Sequence, residues 1–129
     1  MTDESFDIAV IGAGSGGLTV AAAAAQFGQR VVLFEKGEMG GDCLNFGCVP
    51  SKALLAAAKQ AQAMRSAGHF GITPVEPQVD FAAVMAHVRR AIAAIAPNDS
   101  QERFEKLGVT VIRAAAAFTA ERTLAAGGR

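Results

Sequence analysis

Two cysteines, Cys43 and Cys48, stand with four residues between them in the stretch Gly40 to Lys52, GGDCLNFGCVPSK, and the chain holds no others. A thiol pair this close in sequence can attack one disulfide sulfur and then resolve the mixed species itself. In a regular α-helix, residues five apart have Cα atoms roughly 8.5 Å from each other. A disulfide requires about 4.4–6.8 Å. The pair therefore closes only if the backbone between the cysteines leaves the helix, and Gly47 is the residue that allows it. Pro50 suits the start of a helix, where its missing N–H costs nothing, and an Ala/Leu-rich run continues from it. The positive end of that helix favours thiolate. The stretch reads as a working dithiol; inert buried thiols or a structural bridge are the alternative.

The elements that must position this dithiol precede it. Phe6 to Ile11 (FDIAVI) is a nearly continuous apolar run, as expected of a strand buried on both faces of a parallel sheet. Gly12-Ala13-Gly14-Ser15-Gly16-Gly17 follows, then a helix of small residues from Leu18 to Phe27 that Gly28 stops. Arg30 to Phe34 is the second strand, with Glu35 at its carboxyl end. A G-x-G-x-x-G pattern between a strand and a helix, with an acid 18 residues after its last glycine, is a dinucleotide fingerprint. Gly12 permits the turn, Gly14 lets the backbone approach a pyrophosphate, and Gly17 lets the helix pack on the sheet. The helix N-terminus faces the phosphates, and Glu35 accepts hydrogen bonds from a ribose.

Beyond the dithiol, a helix from Val49 to about Ala67 is expected to stop at Gly68. His69 to Gln78 is a loop, with Pro74 and Pro77 forbidding regular structure. Asp80 caps a second long helix, whose Phe81, Val84, Met85, Val88, Ile92 and Ile95 form a one-sided core stripe. Pro97 ends it. Asp99 and Glu102 read as a capping box for a short helix to Leu107, and Gly108 closes that helix. Val109 to Ile112 is a third strand buried on both faces; Ala114 to Phe118 and Thr123 to Ala126 follow. Gly127-Gly128 is a hairpin-turn signal with only Arg129 after it, so the chain is expected to be the front end of a longer protein, broken off inside a β-hairpin.

At 129 residues the chain makes one domain at most. Zero formal net charge gives no electrostatic case for nucleic acid or an anionic membrane. The acidic start MTDESFD is no secretory signal, and charges interrupt every alanine-rich run well short of a membrane span. Two cysteines without a signal point to the cytoplasm. Only His69 and His87 could join the cysteines around zinc, and their placement argues against it: both read as surface residues, so no metal is expected.

A dinucleotide fingerprint and a C-x₄-C helix together resemble the flavin-dependent pyridine nucleotide–disulfide oxidoreductases, the family of dihydrolipoamide dehydrogenase, glutathione reductase and mercuric reductase. The resemblance rests on IGAGSGG at 11–17, FEK at 34–36, GGDCLNFGCVPSK at 40–52 and the spacing onward to VTVIRAAAAFT at 109–119. The 40–52 stretch looks closest to a mercuric-reductase-like branch. The resemblance implies a Rossmann-like α/β fold, of which these residues are the N-terminal portion of the FAD-binding domain. It implies FAD as cofactor, its pyrophosphate over Gly12 to Gly17 with Ser15 and Gly16 in contact, and its adenosine ribose on Glu35. Gly41 and Asp42 belong to the same binding set, and a backbone contact to the adenine comes from about Ala116. Cys48 lies beside the isoalloxazine as the charge-transfer thiolate, Cys43 attacks the substrate, and Lys52 approaches the flavin's reactive edge.

The implied cycle runs from NAD(P)H to FAD, to the Cys43–Cys48 disulfide, and on to a disulfide, dithiol or metal-ion substrate. It also implies that nicotinamide-binding and dimerisation domains lie outside this chain, that the whole protein is a homodimer, and that residues 1–129 alone hold FAD weakly or not at all and turn over nothing. The family usually has threonine where this chain has Asp42. A carboxylate near a pyrophosphate is unfavourable, so Asp42 is expected to cap the redox helix rather than touch a phosphate oxygen. A dinucleotide-binding module with a redox-sensing or idle dithiol is the alternative to an enzyme.

Overall fold

The computed structural model describes residues 4–127. Three strands, β1 (Ile8–Ile11), β2 (Val31–Phe34) and β3 (Thr110–Ile112), form a parallel sheet in the order β1-β2-β3. Ile8 pairs with Val31 and Ile11 with Phe34; on the other side Val32 pairs with Thr110 and Phe34 with Ile112. All four residues of β2 are buried, because it is the central strand. The outer two depart from the expected burial on both faces. In β1 only Val10 is buried, Ile11 being 52% exposed, and no residue of β3 is fully buried. Each pairs along one edge only, which leaves its outer side uncovered.

Helix α1 (Ser15–Gln26) connects β1 to β2, starting three residues earlier than the small-residue run suggested. It ends at Gly28, whose φ of 77° and N–H bond to the Ala25 carbonyl close the helix, with Gln29 N–H bonded to Ala24. One face of the sheet is covered by α1 and by α5 (Gln101–Lys106). Leu18, Ala21, Ala24 and Phe104 pack there on Val10, Val31, Leu33 and Val109. The other face carries Val32 and Phe34 against the hairpin of β4 (Ala116–Ala120) and β5 (Thr123–Ala126), through Ala126, Ala116 and Leu124. That hairpin turns at Glu121-Arg122. The turn expected at Gly127-Gly128 runs beyond the described residues.

Between β2 and α5 stand α2 (Gly41–Asn45), α3 (Cys48–Ser66) and α4 (Phe81–Ile95), the last two packed on each other. Asp80 caps α4 as expected, its carboxylate accepting from Ala83 N–H at 3.1 Å. The α4 stripe is buried only at its middle: Val88 is enclosed, whereas Phe81 is 62% and Ile95 39% exposed. No residue of α3 is buried, so this arm lacks a core of its own. Helix α3 ends at Ser66, one residue short of the expected Ala67, but Gly68 does not stop the helical path. A 3₁₀ turn, Ala67–Phe70, extends it to Gly71, whose left-handed φ of 75° ends it. The α5 cap is Ser100, not Asp99: its hydroxyl accepts from Arg103 N–H at 3.3 Å, while Glu102 pairs with Lys106. Pro97 opens another 3₁₀ turn, Ala96–Asp99, which takes Asp99 out of the cap position.

Candidate functional site: a glycine turn under a dithiol helix

The glycine turn is built by hydrogen bonding to β2. Gly12, at φ 100°, donates its N–H to the Phe34 carbonyl at 2.8 Å, and Gly14 is the N-cap of α1. No side chain caps α1 and no acid lies in its first turn. The N–H groups of Ser15, Gly16 and Gly17 thus meet no intrahelical acceptor. A Cβ added at Gly14 or Gly16 would meet nothing within 4 Å, so the protein leaves room directly over those donors. At Gly17, by contrast, a Cβ would drive into the Gly12 carbonyl oxygen and lie 3.1 Å from Val10 Cγ1.

Glu35 reaches this turn, as its place at the strand end suggested. Its carboxylate accepts from Ala13 N–H at 2.7 Å and from Gly37 N–H at 2.6 Å. A carboxylate has about four acceptor positions, so two of them remain open. Arg113 is part of this corner and was not found by sequence reasoning. Its guanidinium donates to the Gly37 carbonyl and lies 4.0 Å from the Glu38 carboxylate. It is 76 positions from Gly37, so no local pattern points to it.

The dithiol stretch docks on the same turn. Gly40 donates its N–H to the Ala13 carbonyl at 2.9 Å. Gly41, at φ 59°, packs so close that an added Cβ would lie 2.7 Å from Gly14 Cα and 3.3 Å from Gly14 N. Cys43 sits two residues on, inside α2. The helical path then breaks as the spacing argument requires: Phe46 and Gly47 leave the helix, and Cys48 begins α3. A Cβ at Gly47 would lie 3.0 Å from the Asp42 carbonyl oxygen, so the break is also a close approach of two backbones. Asn45 was also missed. Its side-chain Nδ2 donates to the Gly41 carbonyl at 2.9 Å and to Met39 at 3.1 Å.

Asp42 does not cap. The N-caps of α2 and α3 are Gly40 and Gly47, neither with a side-chain cap bond, and Asp42 is exposed. It is the second residue of α2, inside the helix and past the cap position, and its carboxylate bonds none of the first free amides. Lys52 is exposed on α3 with its charge felt at Cys43. Ala116 does not join the turn: it pairs with Ala126 in the hairpin and packs on the Val32–Phe34 face. Only the short chain from Ile112, whose carbonyl accepts from Glu35 N–H at 3.0 Å, links it to the site. His69 and His87 are exposed, and no three metal-ligating side chains cluster among the described residues.

Both cysteines are free, and Cys48 acts on the Cys43 thiol. Cys43 does not gain the thiolate character expected of a helix mouth. The Cys48 side-chain hydrogen bond, then burial, then Cys48's charge push its pKa above the ordinary thiol value; a Cys48 backbone hydrogen bond and the Lys52 ammonium oppose them. Two adjacent sulfurs do not both ionise easily. Because the folded value is raised, stabilisation from this pairing is fully present below the ordinary thiol range and lost as pH rises through the raised value. Cys48→Ala removes the first-ranked cause. The midpoint for iodoacetamide alkylation of Cys43 in the reduced protein is therefore expected to move to lower pH, read by mass spectrometry of the Cys43 peptide; an unmoved midpoint would assign the shift to burial alone.

The arrangement brings a turn with free amides, a carboxylate with spare acceptor positions and a thiol pair to one edge of a parallel sheet. Residues 6–127 match the model of the family described as pyridine nucleotide-disulphide oxidoreductase. A mercuric reductase of Streptomyces lividans is 37% identical over 88% of this chain and 24% of its own length. A dihydrolipoyl dehydrogenase of Chlorobaculum parvum is 35% identical over 91% of this chain and 25% of its own. In fold, the chain superposes on a flavoprotein disulfide reductase, RclA of Escherichia coli, with a TM-score of 0.74 at 24% identity, covering 93% of this chain and 24% of that one. It thus spans about a quarter of the length of each of these proteins. With the family match running from Phe6 at the start of the sheet to Gly127 after the hairpin, the chain belongs to the pyridine nucleotide-disulphide oxidoreductases.

Proposed function

We propose that residues 1–129 are the FAD- and dithiol-bearing N-terminal portion of an NAD(P)H-dependent flavoprotein oxidoreductase whose substrate is a disulfide, a dithiol or a metal ion. The observation that carries this is the stacking of Gly41 on Gly14, which seats the opening of the dithiol helix on the backbone of the phosphate-type turn. The donor set fits the cofactor: free amides at Ser15, Gly16 and Gly17, open space over Gly14 and Gly16, and spare lone pairs on Glu35. FAD, when bound, supplies two-electron transfer between a nicotinamide and the dithiol. The chain's own residues do the rest.

The first turn of α1 holds the pyrophosphate, Glu35 orients the ribose, and the Ala116 backbone faces the adenine. Gly41 and Asp42 complete the binding set, Asp42 through its main chain. Cys48, exposed at the start of α3, is assigned to the flavin side, with Lys52 beside it; Cys43 is assigned to the substrate. The docking of the dithiol stretch on the glycine turn, through Gly40 N–H to the Ala13 carbonyl, favours this reading over a module with an idle dithiol. The exposed Leu55, Phe70, Ile72 and Phe81 of the α3–α4 arm favour a homodimer in the whole protein. Two adjacent free thiols suit a reducing compartment, the cytoplasm. No described helix is long and apolar enough to cross a membrane.

The test is spectroscopic. Reduction by NAD(P)H of the flavoprotein that contains these residues is expected to give a long-wavelength charge-transfer band. Cys48→Ser is expected to remove that band and Cys43→Ser to leave it. If neither substitution alters the flavin spectrum, the dithiol has no part in the chemistry and the proposal fails.

A further inference from the structure

We infer that Asn45 is a positioning residue that sets the redox equilibrium of the Cys43–Cys48 pair, by latching the Met39 and Gly41 carbonyls with its side-chain amide. The inference rests on the reading that the two cysteines form a working couple. The helix that carries Cys43 is five residues long, Gly41–Asn45, and a helix so short has little stability of its own. Gly40 before it and Gly41, its first residue, both sit at positive φ, and Phe46-Gly47 after it leave the helix. The segment is thus hinged at both ends. Asn45 closes it from its last residue to its first, through Nδ2 to Gly41 at 2.9 Å, and beyond to Met39 at 3.1 Å. It is half-buried, and both bonds are to main-chain oxygens that no other side chain reaches among the described residues.

The consequence differs between redox states. In the disulfide the Cys43–Cys48 bond itself closes the segment, so loss of Asn45 removes the two hydrogen bonds and little freedom is gained. In the dithiol the same loss lets the segment open and gain conformational entropy. The dithiol therefore loses less than the disulfide does, and the equilibrium moves toward the dithiol. In exchange with dithiothreitol, two cysteine thiols give up two electrons and two protons as the S–S bond forms, and the oxidised ring of the reagent opens to its dithiol. A residue that stabilises both states equally leaves that equilibrium constant unchanged. The constant thus separates positioning from a merely structural contribution.

The experiment is titration of the whole chain with mixtures of reduced and oxidised dithiothreitol, with the disulfide fraction read by trapping free thiols and weighing the protein. Asn45→Ala is expected to shift the equilibrium about tenfold toward the dithiol, about 30 mV for a two-electron couple. Asn45→Asp, the same shape without the donor when ionised, is expected to shift it at least as far. Asn45→Ser can donate to one carbonyl only, is the milder change if the alanine variant does not fold, and is expected to give an intermediate shift. Asp80→Ala, which loses the α4 cap and removes no bond to the dithiol stretch, is expected to lower stability and leave the constant at its wild-type value. A constant within twofold of wild type in the folded Asn45 variants would overturn the inference while leaving the dithiol couple intact. Failure of the wild-type chain to form an intramolecular Cys43–Cys48 disulfide would overturn both the inference and the reading beneath it.

Discussion

Gly17→Ala is expected to cost about 3 kcal/mol or more and to lower Tm by on the order of 10 °C, or to abolish cooperative unfolding altogether. The added Cβ would enter the Gly12 carbonyl oxygen, and that atom is main chain, not the movable end of a side chain. Relief requires α1 to lift from β1. Leu18, Ala21 and Ala24 of α1 are buried against Val10, Val31 and Leu33, so lifting the helix opens the larger of the two cores. Total stabilities are about 5–15 kcal/mol, so one methyl group would take a large fraction. Gly16→Ala is the control. Its Cβ meets nothing within 4 Å, and alanine in a helix is favoured over glycine by about 0.5–1 kcal/mol. Thermal unfolding followed by circular dichroism separates the two: a Gly17→Ala protein melting with the Gly16→Ala protein would refute the close approach.

Much of this geometry was legible because local chemistry and tertiary role coincide. The apolar run of β2, the glycine turn, Gly28 as helix stop, Asp80 as cap and the broken helix between the cysteines each follow from a few adjacent residues. Other features depend on what lies across the fold. The composition of Phe6–Ile11 and Val109–Ile112 says buried strand, yet β1 and β3 are the two margins of the sheet and each keeps an open side. The stripe on α4 has helical period, but its main helical partner is α3, which buries nothing fully, with α2 a lesser one. Asp42 and Asp99 are good capping types one or two positions from the places where the helices begin; glycines at positive φ and a proline-started 3₁₀ turn moved the boundaries. Arg113 and Asn45 act through main-chain oxygens, one across 76 positions and one across four and six. None of these distances carries a composition signal, though an amide closing a glycine-flanked turn is a pattern that sequence reading can seek.

Gly41→Ala is expected to separate the dithiol from the cofactor site while leaving each formed. At φ 59° an L-residue costs about 1–2 kcal/mol, and the added Cβ would lie 2.7 Å from Gly14 Cα and 3.3 Å from Gly14 N. All of these are main-chain atoms of the turn proposed to hold the pyrophosphate, so neither side gives way cheaply. The opening of α2 must then retreat, straining the Gly40 N–H bond to Ala13 and the Asn45 bond to the Gly41 carbonyl. Gly40→Ala makes the comparison fair. It too sits at positive φ, 91°, but the atoms nearest its added Cβ all belong to the Leu44 side chain, with Leu44 Cβ at 2.8 Å. Both variants are therefore expected to lose stability, and only Gly41→Ala is expected to lose coupling. In the flavoprotein that contains these residues, the charge-transfer absorbance per bound flavin after NAD(P)H reduction should fall about tenfold or more in Gly41→Ala, about 1.4 kcal/mol in the equilibrium for docking. It should stay near wild type in Gly40→Ala. A Gly41→Ala protein with full charge-transfer intensity would mean that the stacking of Gly41 on Gly14 does not hold the sulfurs at the flavin, and the central contact of the proposed site would have to be sought elsewhere.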